Sequence, residues 1–591
     1  MTTHQDALFV AEVRAALAER IRSIDREATA GPDAWRELQH RALAERIKAL
    51  AAATHRVNDP TGALDGVDLL GHATRLAVRL TELQGPSGLF TGGDNVDSPP
   101  DSAFSINDLA DALLLLRHAE NPVPGEPPLT QLLQRLLLAA SPALTEGGVH
   151  TPNHRWEIAA ALARLFLVTP QPAQADRVDQ WLAEGIDIDD DGLYSERSAN
   201  YAAHVSNPSL LTVASVFDRP DLVDAVERNL DATLDLLLPD GTVETVLSRR
   251  QDQNRPIPLA DYLLPLRRVA LLRGRGDLAW AAGLALEQGI NAPTDAAARL
   301  VLDPDIADTL PAPVRPQRPR RRVFGAAGLL MVHQPSTTTV IFGGSDYPRH
   351  GRIRSGLANS PTFLRLFAGA AVLDSVRLSR VFFGKGPFRP EGLTVEWDAT
   401  AEPAVLLAET VSASYYQPLN TADCDPRGDY RLGDEGRFSA AMDFDRRTRD
   451  DRVLNTAIRA QPTATGVELT VDLTGAVVDW TLEWAFRPGG VLTGARPIGV
   501  DRWQLDLPAA AEAGPVNASY QFGRDSITVS VLEASGGQDL PWSEAFSPPA
   551  YEPGEEYRFL GGTDAAAGPR LYLSGRVPAR VRVHISAESA G

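Results

Sequence analysis

"DPDIADTLPAPVRPQRPRRR", residues 303–322, is the stretch on which the fold turns. It is dense in proline and arginine and carries no apolar periodicity, which is the composition of a linker. On its N-terminal side apolar residues recur at i, i+3 and i+4 in "DALFVAEVRAALAERI", "DLADALLLLRHAE", "LTQLLQRLLLAA", "RWEIAAALARLFLV", "PSLLTVASVF", "LVDAVERNLDATLDLLL" and "LAWAAGLALEQGI". Turn signals such as "DDDG" (189–192) and "PDG" (239–241) separate them. On its C-terminal side the period falls to two, in "GLLMVHQPSTTTVIFGG", "GVELTVDLTGAVVDWTLEWAF", "DRWQLDLP", "DSITVSVLEAS" and "PRLYLSGRVPARVRVHIS". The sequence therefore predicts a helical domain over 1–302, a linker over 303–322 and a large antiparallel β-sandwich over 323–591. Consecutive helix pairs without a strict repeat fit an incomplete α/α toroid, with a long helical bundle or solenoid as the alternative.

At 591 residues and 43% hydrophobic, the chain is long enough for two or more cored domains. Its one cysteine, Cys424, rules out an intramolecular disulfide and a cysteine-based zinc cage. The net charge of −20 argues against nucleic-acid and anionic-membrane partners. Lysine occurs only at Lys48 and Lys385, so a carboxylate clamp here would be a bidentate arginine. No segment has the apolar length of a membrane span, and the N-terminus lacks a basic start followed by an apolar run. The expectation is a cytoplasmic protein, or an exported one if a signal has been trimmed. No G-x-S-x-G elbow, phosphate-binding glycine loop, G-x-G-x-x-G or H-E-x-x-H occurs, and no cofactor is expected, with a divalent metal left open.

Two short stretches carry candidate chemistry. In "TPNHRWEI" (151–158), Pro152 suits a first helical turn and Asn153 is a candidate cap. The functional alternative has the Asn153 amide neutralising a substrate carboxylate while His154 accepts a proton. In "DGLYSERSANYAAHVSN" (191–207), Tyr194, Tyr201 and His204 are polar-tipped residues among small ones. Helix over 198–204 would put Tyr201 and His204 on one face, and a phenol there can serve as acid or base.

Three loops offer binding groups. "FTGGDNVDSPPDSAFSINDLADA" (90–112) carries Asp94, Asn95, Asp97 and Asp101, a sugar-hydroxyl or calcium site if not a solvated turn, with Ser105 or Asn107 expected to cap the helix after it. "LSRRQDQNRP" (247–256) concentrates Arg249, Arg250 and Arg255. "DYPRHGRIRSGLANSPTF" (346–363) brings Arg349, His350, Arg352 and Arg354. Two arginine-rich loops in an acidic chain are what an anionic sugar would require.

Taken together, a toroid followed by a β-sandwich, an Asn-His pair opening a helix and a downstream G-x-Y-x-E-x-S-x-x-Y resemble the heparinase II/III-like and alginate-lyase-like polysaccharide lyases. The resemblance implies β-elimination at a bond 4-linked to a uronic acid in an acidic oligosaccharide or polysaccharide. By the same resemblance Asn153 neutralises the uronate carboxylate, His154 or Tyr201 removes the C5 proton, and Tyr201 acts as base or acid. Substrate contacts would come from Asp101, Tyr194, His204, Arg249, Arg250, His350 and Arg352. An acidic protein suits chain ends better than long polymer, which favours exo action. The β-domain departs from the family pattern: "GLAN" (356–359) precedes the strand "SPTFLRLFAGAAVLDS" where an H-x-H-x-D-like stretch would stand. Two alternatives remain. One is an inverting glycoside hydrolase or unsaturated-uronide hydrolase, using a carboxylate pair from Asp97, Asp101, Glu157 and Glu196. The other is a non-catalytic carbohydrate-binding protein.

Overall fold

The computed structural model describes every residue except 1, 32, 94, 119–125, 254, 318, 351–355, 398–402, 507–514, 536–566 and 590–591. The architecture is an incomplete α/α toroid followed by an antiparallel β-sandwich. The seven segments of helical period each carry a helix, and the strand-period segments all carry strands. The helical unit comprises Met1–Leu237 and Ile257–Gln317.

Its inner helices, His40–Ala53, Pro99–Arg117, Pro152–Val168 and Asn207–Phe217, pack in sequence order, and Pro293–Leu302 packs back against the first two. Leu69–Leu83, Glu126–Glu146, Pro172–Ala183 and Pro220–Asp235 form the outer layer. The inner position of Pro152–Val168 follows from its sequence. Small and apolar residues line every side of "IAAALA", and each residue from Asn153 to Ala163 is buried. A helix buried all round must find partners for each polar side chain it carries. Lys48 illustrates this on His40–Ala53: the buried ammonium reaches Asp108 and, at 2.6 Å, Asp295 of Pro293–Leu302. Among the described residues no helix is long and apolar enough to cross a membrane.

The second unit comprises Arg318–Gly591 together with Leu238–Pro256. Most of its described strands form two antiparallel-rich sheets, one of nine strands ending at Arg321–Phe324 and one of eight ending at Thr394–Glu396. Alternate residues of both sheets, such as Leu330, Leu366 and Leu482 on one and Leu454, Leu469 and Val583 on the other, meet in one core. The proline-rich stretch holds a short 3-10 turn, Pro304–Ala307, that buries Ile306, and its last two arginines already belong to Arg321–Phe324.

The segment 238–256 is tied to the sheets by charge. Arg365 donates to both Glu244 oxygens at 2.8 Å, with the Glu244 side chain fully enclosed, and reaches Asp374 at 3.2 Å. Arg487 pairs with Asp240 at 2.8 Å and with Asp374 at 3.0 Å. Gln253 donates to the Leu357 carbonyl at 2.8 Å.

Candidate active site

The start of Pro152–Val168 and the loop 187–201 are built as one piece. Asp187 accepts from the Trp156 indole at 2.9 Å and from Ser195 at 2.5 Å, and stands 3.3 Å from Arg155. Gly192 sits at φ +85° with its carbonyl accepting from Asn229, and a β-carbon there would lie 2.5 Å from the Arg228 carbonyl oxygen. Only glycine fits that turn. Tyr194 is buried with its hydroxyl donated to Asn207 Oδ1 at 2.9 Å, and Asn207 in turn donates to Asn229. Burial first, and the negative charge of Asp187 second, push its phenol well above the usual value. Tyr194 thus braces the loop, whereas the sequence reading gave it a substrate contact.

That bracing delivers Glu196 to Asn153. Asn153 is buried at the second helical position, so it does not cap: Thr151 occupies the cap position, and its hydroxyl donates to Asn153 Oδ1 at 3.3 Å. Asn153 Nδ2 donates to Glu196 Oε2. Both ends of the amide are thereby oriented, with one Nδ2 hydrogen beyond the bond to Glu196. His154, also buried, meets the exposed His150 edge to face at 4.7 Å. Tyr201 is half-buried at the end of the Ala199–Tyr201 turn, which Ser198 caps by accepting from the Tyr201 amide at 3.0 Å and Tyr262 holds through the Ala199 carbonyl.

The helix then widens to a π-turn over Ala202–Ser206, a distortion that recurs at functional sites. The wider turn breaks the face expected for Tyr201 and His204. His204 instead lies 3.4 Å from Asp261 and lines a cavity of about 540 Å³ with Arg164, Leu211 and Arg299; Asn153, His154 and Tyr201 do not line it.

Beneath Asn153, one turn along the same helix, lies Glu157. It accepts from Asn107 at 2.7 Å and Ser209 at 3.3 Å, and Arg164 holds the other end of Asn107 at 2.8 Å. Burial pushes the Glu157 carboxyl from 4.5 up to about 7, against the pull of Asn107 and Arg164. The unfolded chain releases this proton near pH 4.5 while the folded protein keeps it to about pH 7. Stability contributed by this group therefore falls as pH rises through that window, by about 3 kcal/mol in all. Glu157→Gln should flatten that slope and be the more stable protein above pH 7. Urea unfolding of both proteins from pH 5 to 8 checks this, and parallel profiles would refute it.

The remaining candidates are placed as follows. Asp101 is buried, pairs with Arg41 and accepts from Asn95 at 2.8 Å, and so anchors its loop. Its helix is capped by Ser98, not by Ser105 or Asn107, which lie inside the helix bonded to His40 and Glu157. Asp97 accepts from Ser87 at 2.5 Å, and Asp94 lies outside the described residues. Arg249, Arg250 and His350 belong to the second unit. Arg249 is engaged in a two-pronged bond with Asp346, at 2.8 and 2.9 Å, Arg250 is half-buried and His350 is exposed. Arg352 and Arg354 lie outside the described residues. Sequence reading missed the partnership of Glu196 with Asn153, although both residues stood in the quoted stretches.

No family model and no curated protein matches the chain. Solved structures do. Chondroitin AC lyase of Streptomyces coelicolor A3, in complex with chondroitin sulphate, superposes with a TM-score of 0.51 at 14% identity, covering 98% of this chain and 78% of that one. Heparinase III superposes with a TM-score of 0.50 at 12% identity, covering 92% and 74%. A further heparinase III gives 0.50 at 11%, covering 92% and 77%. The chain has the fold of these polysaccharide lyases.

Proposed function

We propose that this protein is a lyase that breaks a glycosidic bond 4-linked to a uronic acid by β-elimination, acting on an acidic oligosaccharide or at polysaccharide ends. The observation that carries the reading is the buried, two-sidedly oriented amide of Asn153 on this fold. Removing the C5 proton builds negative charge on the adjacent carboxylate, and a preoriented N–H stabilises that charge where water is excluded. His154 or Tyr201 takes the C5 proton, the C4–O4 bond breaks, and a C4–C5 double bond remains on the uronide. The departing oxygen takes the hydroxyl proton of Tyr201 if His154 is the base, or the abstracted C5 proton back from Tyr201 if Tyr201 is the base.

The carboxylate-pair hydrolase finds less support. Glu157 is enclosed by Asn107 and Ser209, Glu196 is bonded to Asn153, and Asp101 is paired with Arg41.

The test is a screen of uronic-acid polysaccharides and their oligosaccharides for the ultraviolet absorbance of the conjugated unsaturated uronide. Tyr201→Phe keeps the ring and removes the hydroxyl. It should fold normally and lose at least about 10²-fold in activity, the lower end for general acid–base catalysis. Tyr194→Phe, which loses only the bond to Asn207, should keep most of its turnover. Full activity in Tyr201→Phe would sink the tyrosine mechanism.

A further inference from the structure

Asn153 is buried at the second position of its helix, so its amide depends on protein partners for its orientation. A planar amide fits such a site either way round, with Nδ2 and Oδ1 exchanged. Thr151 does not choose between the two, because a hydroxyl can donate to an oxygen or accept from an N–H. Glu196 does choose. An ionised carboxylate only accepts, so the end of the amide that faces Glu196 Oε2 must be Nδ2.

The backbone on either side of Glu196 shows which partner positions the other. Ahead of it, Ser195 is bonded to Asp187 twice, amide to carbonyl at 2.8 Å and hydroxyl to carboxylate at 2.5 Å. After it, the Arg197 amide donates to the Tyr194 carbonyl at 2.8 Å. Arg197 takes φ +51°, left-handed backbone that a residue with a side chain adopts at a cost. Ser198 then caps the next turn by accepting from the Tyr201 amide at 3.0 Å. Residues 195, 197 and 198 are each held by bonds that do not involve Asn153, and they present the Glu196 carboxylate at a fixed place. Among the described residues, the Asn153 side chain is bonded to Thr151 and Glu196 alone. The loop is the fixed member and the amide is the oriented one.

We infer that Glu196 is a positioning residue for the elimination: it sets the Asn153 amide so that a substrate carboxylate meets the remaining Nδ2 hydrogen and not the Oδ1 lone pairs. The wrong way round would place a carbonyl oxygen against a uronate whose charge grows as the C5 proton leaves, so misorientation costs most in the transition state. Glu196 itself touches no reacting atom and moves no proton. The substrate in this inference rests on the lyase reading; the bond and its direction do not.

The experiment compares Glu196→Gln, Glu196→Ala and Asn153→Ala in the full chain, with turnover read by the ultraviolet absorbance of the unsaturated product. Glutamine keeps an acceptor oxygen in reach of Nδ2, and alanine removes it. Glu196→Ala should lose at least about tenfold in kcat with KM nearly unchanged. Glu196→Gln should stay within about threefold of the wild type. Wild-type kcat in Glu196→Ala would overturn the inference. So would equal losses in the two Glu196 variants, because the site would then be using the charge or the proton of Glu196. Neither outcome touches the lyase reading, which is tested by Asn153→Ala. A second measurement needs no turnover: in urea unfolding, Asn153→Ala combined with Glu196→Ala should lose less stability than the two single variants summed, since each single change breaks the same bond. Additive losses would overturn the inference whether or not a substrate is turned over.

Discussion

Asn153→Ala is expected to reduce turnover by about 10²–10³-fold, the loss seen when one donor to a developing oxyanion is removed. The charge that this amide meets is largest after the C5 proton has left and before the C4–O4 bond has parted. The variant should therefore lose kcat and leave KM nearly unchanged. Asn153→Asp is the sharper companion. It matches the amide in shape but sets a carboxylate beside Glu196 and a uronate, so its loss should be at least as large. Both are measured by the rate of ultraviolet absorbance from the unsaturated product. Near-normal kcat in a folded Asn153→Ala protein would reduce Asn153 to a prop for Glu196.

The second large effect is structural. Glu244→Ala should destabilise the second unit by up to about 3–5 kcal/mol, the cost of breaking a buried ion pair, with Arg365 left only its 3.2 Å contact to Asp374. Glu244 does three things at once. It receives Arg365 through both oxygens, and Oε1 also accepts from the amides of Thr245 and Val246 at 2.9 and 2.8 Å. Replacing both members, Glu244→Met with Arg365→Met, should recover much of the loss because no charge then remains enclosed. Urea unfolding followed by tryptophan fluorescence reads both. A Glu244→Ala protein as stable as wild type would show that 238–256 is held by its other bonds alone.

The period change across 303–322 made the two architectures legible, because a helix and a half-buried strand expose their apolar residues at different intervals. What it could not show is that 238–256, lying between helices, sits with the sheets. The residues that hold it, Arg365, Asp346 and Arg487, are about a hundred or more positions away, and no local pattern encodes such pairing. The same distance misled the reading of Arg249, whose cationic fork looked available for substrate and is engaged by Asp346. At the candidate site, the Asn-His pair and the G-x-Y-x-E-x-S-x-x-Y spacing marked a helix start and a loop that the structure bonds together. They did not distinguish the buried phenol that braces the loop from the half-buried one, since Tyr194 and Tyr201 differ only in what surrounds each side chain. Glu157 stood among the candidate carboxylates of the hydrolase reading, but nothing in "RWEIAAALA" reveals that its helix is enclosed on every side.

The placement of Glu244 ahead of its partner has a consequence for synthesis. Arg365 follows it by 121 residues, which a ribosome adding 5–20 residues per second supplies roughly 6–24 s later. Throughout that interval Glu244 lacks Arg365, while Arg249 waits 97 residues for Asp346 and Asp240 waits 247 for Arg487. The helices on either side can form while the segment between them waits. Capture of the segment 238–256 must wait for these later partners, and it ties together two parts of the chain that are translated at different times.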